Sequence, residues 1–261
     1  MTRIDASAFL GRWPFRPIEG TVAGLTRMMR ANDISHTLVS PFEGLFYADP
    51  EPANEELLRQ IARRRNPSRR PAGKLWAAPI LNLRIADWRE QVKALARNPQ
   101  VRAVLVAPTF HGYEVSACGE AARVAASHGL ALMVQVRLED ERHHSPILDL
   151  PAASVKEIVS VAASVPKARI VISAARLVEV LQVAPRASRL GNLWFGISHF
   201  DGLECIQRAC QAVGAKRLLF STSWPFFYAK SGVLKVEEAE VAVPWRGAVF
   251  GDNARRAFAL K

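Results

Sequence analysis

The densest concentration of reactive side chains is Arg137-Leu138-Glu139-Asp140-Glu141-Arg142-His143-His144. Carboxylates, imidazoles and guanidiniums this close together can supply a general base, a general acid and a clamp for a carboxylate-bearing ligand. Glu139, Asp140 and His144 are the catalytic candidates of the run, and Arg137 and Arg142 the ligand-binding ones. The same charges can instead pair with one another and only order a loop, so both readings stand. A metal pair at His143-His144 is the weaker idea. Adjacent side chains diverge in extended chain, and a third ligand would have to come from Glu139, Asp140, His111 or His199.

Other candidates are scattered. His199 lies two residues from Asp201, an arrangement open to acid/base pairing, although Asp201 also suits the N-cap of a helix near 203. His111-Gly112-Tyr113 either binds a substrate oxygen or closes a turn. Trp13, Phe15, Phe46, Tyr47, Trp224, Phe226, Phe227 and Tyr228 either pack as core or lid, or wall a pocket for a flat ligand. Trp224 and Phe227 are the binding candidates among them, and Arg16 beside them is placed to meet an anion. His36 and His128 read as structural. Asp5 needs a hydrogen-bonding partner if it is buried.

These residues need a scaffold, and the chain writes one. Apolar runs at Arg3–Ala6, His36–Ser40, Leu75–Leu81, Val101–Ala107, Leu130–Val136, Arg169–Ser173, Leu193–Ile197 and Arg217–Phe220 have the length of buried parallel strands. Helical spacing separates them at 20–31, 53–65, 87–96, 154–163 and 203–213. That alternation in 261 residues predicts one α/β domain over 1–261, a (β/α)8 TIM barrel. The loops after its strands, 41–53, 108–115 and 139–154 among them, then fall on the C-terminal rim, where barrel active sites form.

The net charge of +11 raises the question of nucleic acid. Seven of the basic charges sit between Arg59 and Lys74 with no acid among them, at a predicted helix end and loop. No nucleic-acid motif accompanies them, so a solvated loop is expected, with an anionic docking patch as the alternative. No run approaches the ~18 apolar residues of a membrane span. The odd set Cys118, Cys205 and Cys210 predicts reduced thiols and a cytoplasmic protein. A small-molecule ligand is the expected partner, and homo-oligomerisation stays open.

The opening Ile4-Asp5-Ala6-Ser7-Ala8-Phe9-Leu10-Gly11 resembles the first strand of the amidohydrolase-related (amidohydrolase 2) family, Ile-Asp-Ala-His-x-His-Leu-Gly. Leu219-Phe220-Ser221-Thr222-Ser223-Trp224-Pro225 is similar to its eighth strand, Leu-Phe-Gly-Ser-Asp-x-Pro, and Gly251-Asp252-Asn253-Ala254-Arg255-Arg256 to its C-terminal Gly-x-Asn-Ala-x-Arg. The resemblance covers nearly the whole chain. It implies an amidohydrolase-type barrel with hydrolase or carboxy-lyase chemistry on a small, carboxylate-bearing molecule.

The departures fall on the metal. The resemblance puts the family's ligand positions at Ser7, Phe9, Gln135, Ser173 and Ser223, all neutral here. The expectation is therefore an eroded metal site and no cofactor, with one divalent ion at a relocated site as the alternative. Asp5, Ser7 and Phe9 are expected on one lumenal face. No Gly-x-Ser-x-Gly surrounds the serines, so none reads as a nucleophile. Three functions remain open: an enzyme with relocated ligands, a metal-free acid/base enzyme, and a catalytically silent binding or assembly protein.

Overall fold

The computed structural model describes residues 2–63, 73–140, 142, 145, 147–148 and 150–260. His144, the His143-His144 metal pair and most of the basic segment lie outside the described residues.

The strands are β1 (Arg3–Trp13), β2 (Ile18–Gly20), β3 (Ile34–Pro41), β4 (Lys74–Ala77), β5 (Ile80–Leu81), β6 (Ala103–Val106), β7 (Ala131–Gln135), β8 (Ile170–Ser173), β9 (Leu193–Gly196) and β10 (Leu218–Leu219). They form two arcs, β2-β1-β3-β4 and β10-β9-β8-β7-β6-β5, with every pairing parallel except β1–β2. One seam is bridged at Ala77–Val101 and the other at Ala8–Trp224. At the second seam Ala6 N–H donates to Phe220 at 2.9 Å and Ser223 N–H to Ser7 at 2.9 Å. The expected run Leu75–Leu81 is thus one stave broken between β4 and β5, and the arcs join as a (β/α)8 barrel. The outer helices are α1 (Val22–Ala31), α2 (Glu51–Arg63), α3 (Trp88–Ala96), α4 (Pro108–His111), α5 (Cys118–Ser127), α6 (Val155–Ser164), α7 (Leu177–Ala187), α8 (Cys205–Val213), α9 (Ala229–Glu237), α10 (Val243–Gly247) and α11 (Asn253–Ala257).

Side-chain alternation sorts the core into two layers. Ile4, Leu38, Trp76, Leu105, Met133, Val171 and Leu219 fill the lumen. Val39, Val104, Leu132, Val134, Ile172 and Phe195 face outward and meet the helices, for example Ile206, Ala209 and Val213 of α8. No helix among the described residues is long and apolar enough to cross a membrane.

Three local expectations change. Strict alternation fails in β1, because its pairing with β3 slips between Arg3 and Ile4 and again between Asp5 and Ala8. Ile4, Ala6 and Phe9 consequently share the lumenal cluster, rather than Asp5, Ser7 and Phe9 forming one face. The helix expected at 203 begins at Cys205 behind a left-handed Glu204, which takes the N-cap position that Asp201 was expected to fill. Leu203 is left exposed outside the apolar stripe.

After β1 the chain turns back through β2, with Gly11 opposite Gly20 and Trp13 opposite Ile18. Gly20 is required there, since a Cβ would lie 2.3 Å from the Phe9 carbonyl oxygen. This hairpin carries Trp13, Phe15 and Arg16 over the barrel mouth.

Candidate functional site

The C-terminal end of the lumen carries hydroxyls. Ser7 and Ser173 place their Oγ atoms 3.5 Å apart. Ser223 Oγ donates to Ser198 Oγ at 2.9 Å, and Ser198 Oγ lies 3.0 Å from His199 Nδ1. Gln135 Nε2 donates to the Arg137 carbonyl, so its amide serves the backbone. Asp5 is fully buried and accepts from Thr222 and from Ser7 N–H. Burial pushes its carboxyl up to about 7 despite those bonds.

Phe9 belongs to an aromatic plug above this end. Its ring stacks on Phe42 at 5.0 Å and meets Phe226 at 6.3 Å. Trp13 contacts Phe15, Phe42, Phe46 and Phe226. Trp13, Phe15, Phe46 and Phe226 therefore pack as a lid, while Tyr47 and Tyr228 are exposed. Trp224, a ligand-wall candidate, lies outside the lumen against α1, where a Cβ on Gly24 would come within 3.2 Å of its ring. The positive φ of Ser223, 49°, accompanies this outward step.

The charged run after β7 is engaged in ion pairs. Arg137, 5% exposed, donates to both oxygens of Glu179 on α7 and to the Ala174 carbonyl. Glu139, 1% exposed, pairs through Oε2 with Arg16 from the hairpin, while its Oε1 has no hydrogen-bond partner. Arg142 closes on Asp140 two residues back. The loop-ordering reading thus accounts for much of the run, and Glu139 Oε1 is the exception. A cavity of about 10 Å³ touches Glu139, Thr109, Phe110 and Leu148, near the volume that admits one water.

His199 is buried, its ring edge-on to Phe227 at 4.8 Å. Burial holds its pKa down to about 3; Arg137 and Lys235 push the same way, the Leu138 backbone and Asp140 oppose them. The ring is neutral at neutral pH, and its polar contacts are the Ser198 hydroxyl and the Leu138 backbone. A group so far from pH 7 suits hydrogen bonding better than proton transfer. Lys235 Nζ reaches the Ser198 carbonyl at 3.3 Å, and burial lowers its pKa. His111 and Tyr113 lie apart from His199, behind β6. His111 Nε2 is 3.1 Å from the Gly44 carbonyl oxygen, and burial lowers its pKa while raising that of Tyr113. These partners fit a turn-closing role.

A parallel barrel with its polar groups at the carboxyl ends of the strands agrees with the family match, an amidohydrolase family that covers residues 5–260 of this chain. The chain belongs to the amidohydrolase family. No curated protein matches it. Among solved structures this amidohydrolase is similar to 2,6-dihydroxybenzoate decarboxylase from Rhizobium, with 16% identity, 99% of each chain covered and a TM-score of 0.73. It is similar to a dihydroxybenzoic acid decarboxylase from Polaromonas sp. JS666 with bound manganese and 2-nitroresorcinol, at 14% identity, 99% and 97% coverage and a TM-score of 0.73. It is also similar to 5-carboxyvanillate decarboxylase from Novosphingobium aromaticivorans with bound manganese, at 12% identity, 99% and 97% coverage and a TM-score of 0.69. At these identities the likeness establishes the fold.

The manganese in the last two structures overturns the expectation of no cofactor, because two solved proteins of this fold carry a divalent cation. The positions that the family resemblance assigns to metal ligands hold side chains that do not suit such an ion. Ser7, Ser173 and Ser223 spend their hydroxyls on one another and on Ser198, Gln135 serves a carbonyl, and Phe9 offers a ring face. Among the described residues no three His, Cys, Asp or Glu side chains gather as a metal-binding group.

Residue-type reasoning missed Glu179, Lys235 and Ser198. Glu179 had a signal: an acid three residues into a helix reaches back to the N-terminal amides, and it accepts from Arg176 N–H at 2.7 Å. Lys235 had none, because it meets Ser198 only through folding.

Proposed function

We propose that this amidohydrolase acts on a small organic carboxylate at the C-terminal end of its barrel, by hydrolase or carboxy-lyase chemistry. The observation that carries the reading is Glu139: a buried carboxylate that lines a water-sized cavity, held by Arg16 through one oxygen and with the other oxygen unpartnered. That oxygen is the atom to accept a proton from water or substrate. Arg137 and Lys235 place their charges beside the neutral His199 ring at the same end of the barrel. No step is assigned to a metal, since the inherited positions do not suit one. A cytoplasmic location accords with the buried, unpaired Cys118, Cys205 and Cys210.

A second reading, binding without turnover, is favoured by the aromatic plug over the barrel axis. The test is a panel of aryl and alkyl carboxylates assayed for CO2 release and hydrolysis, with manganese-supplemented and chelator-treated protein. The expected result is turnover of at least one carboxylate that falls about 100-fold or more in Glu139→Gln, within the scale of general-base effects. Saturable binding without turnover selects the second reading. Neither binding nor turnover overturns both.

A further inference from the structure

We propose that the cleft between the ends of α5 and α6 receives the acidic segment around α10 of a second copy of this chain. The cleft holds about 460 Å³. Ala126, Val165, Pro166 and Ala168 give it an apolar floor, and Arg123 and Lys167 stand exposed at its edge. Neither cation has an ion-pair partner among the described residues. Cations near helix ends commonly serve the open carbonyls there. Here those carbonyls are served otherwise. Asn192 Nδ2 donates to the carbonyls of Ala162, Val165 and Ala168 at 3.1, 3.1 and 2.9 Å, and Arg169 donates to that of Gly129 at 2.6 Å. Arg123 and Lys167 are left for an acid from outside the chain.

The same chain carries the matching surface. α10 buries none of its residues, and Val243 and Trp245 are 67% and 44% exposed. Just before it come Glu238 and Glu240, exposed and without ion-pair partners among the described residues, while Glu237 is spent on Arg3. Two carboxylates beside an exposed indole complement two cations beside an apolar floor, and Trp is a common anchor of protein contacts. At a net charge of +11, copies repel one another unless regions of opposite sign meet. One chain cannot join its own two halves. α5 and α6 flank β7, whereas α9 and α10 follow β10 and pack toward the seam with β1, on a different side of the barrel. These outer helices run back against the strands, so both surfaces lie toward the N-terminal end; Glu237, the last residue of α9, accordingly meets Arg3, the first of β1. Two copies placed back to back make the contact twice in a closed two-fold pair, and both barrel mouths stay open.

The test uses the full chain and two charge-reversed variants. One carries Arg123→Glu and Lys167→Glu, the other Glu238→Lys and Glu240→Lys; all four positions are exposed. By sedimentation velocity the parent is expected to form a concentration-dependent dimer, and each variant alone to dimerise with a Kd raised at least about tenfold. The two variants mixed are expected to dimerise again, since one contact is then native and the other has its charges exchanged. In the parent, a zero-length carbodiimide cross-link is expected between Lys167 of one copy and Glu238 or Glu240 of another, read by mass spectrometry of mixed ¹⁴N and ¹⁵N chains. That readout decides the matter even where a variant fails to fold. A parent that stays monomeric, a dimer indifferent to both reversals, a mixture that fails to re-form it, or absence of the cross-link overturns the proposal. None of these outcomes bears on the Glu139 reading, which concerns the opposite end of the barrel.

Discussion

Asp5 and Thr222, 217 residues apart, fasten the first strand to the last. Asp5 Oδ1 accepts from Thr222 N–H at 2.9 Å, and Oδ2 lies 2.7 Å from Thr222 Oγ1. The pair sits beside the seam where Ser223 N–H reaches Ser7, so it closes the barrel with side chains as well as backbone. A carboxylate with three hydrogen bonds would ordinarily ionise easily; here complete burial outweighs them and lifts its pKa to about 7.

The sign of the resulting pH dependence follows from linkage. Between the unfolded value of 3.8 and the folded value of about 7, the native state keeps a proton that the unfolded chain releases. Stability therefore falls as pH rises through that window, and the penalty is complete above it. Asp5→Asn keeps the shape and one acceptor, and the Thr222 hydroxyl can turn to accept from the new amide. Relative to the parent, the variant should gain stability above pH 7, with a ceiling of about 4 kcal/mol at ~1.4 kcal/mol per pK unit. Urea midpoints from pH 4 to 8 measure this; a gap that does not widen with pH contradicts the assignment.

Glu179 should show the opposite slope. Burial alone would raise its pKa, but hydrogen bonds from Arg137 and Arg176 prevail and lower it below 4.5. Its contribution is present above the unfolded value and lost as pH falls through the lowered folded one. Glu179→Gln removes a counter-charge from the buried Arg137 guanidinium, and truncating one member of a buried pair costs up to about 3–5 kcal/mol. The loss should be largest near neutral pH and shrink in acid, as read by chemical denaturation.

Arg16 and Glu139 are separable by a double-mutant cycle. Arg16→Ala and Glu139→Gln each remove one partner of a half-buried pair, and each should destabilise by roughly 1–3 kcal/mol. The double variant should cost clearly less than the sum, because neither partner is then stranded. Additive losses would mean that the hairpin is held over the barrel by its aromatics alone.

The barrel was legible because its signals are periodic and local. Strand runs such as Leu130–Val136 and helix stripes such as Val155, Ile158, Val159 and Ala162 carry their own evidence, and both formed close to their expected limits. The site was legible only as composition. Arg137 and Arg142 sit five residues apart, yet Arg137 turns inward to Glu179 and Arg142 outward to Asp140. That choice depends on α7, which docks from 40 residues downstream. Trp224 was misplaced for a similar reason. The sequence sets it among the rim aromatics as a pocket wall, but the chain leaves the lumen at Ser223, where φ is positive.

Restoring a histidine at position 9 tests whether the plug tolerates a ligand-type side chain. Phe9 is fully buried, stacked on Phe42 and edge-on to Phe226. An imidazole there would lose aromatic packing worth about 0.5–1.5 kcal/mol and leave ring nitrogens without partners at about 1–3 kcal/mol. Phe9→His should therefore lower stability by roughly 2–4 kcal/mol, measured by urea unfolding. Adding Ser7→His should not create manganese-dependent turnover, since Gln135, Ser173 and Ser223 still present only an amide and two hydroxyls, with no carboxylate or imidazole among them. Turnover arising from that double variant would place the hydroxyls of Ser173 and Ser223 within reach of a cation, and would count against the pairing of Ser223 with Ser198 that closes its hydroxyl off.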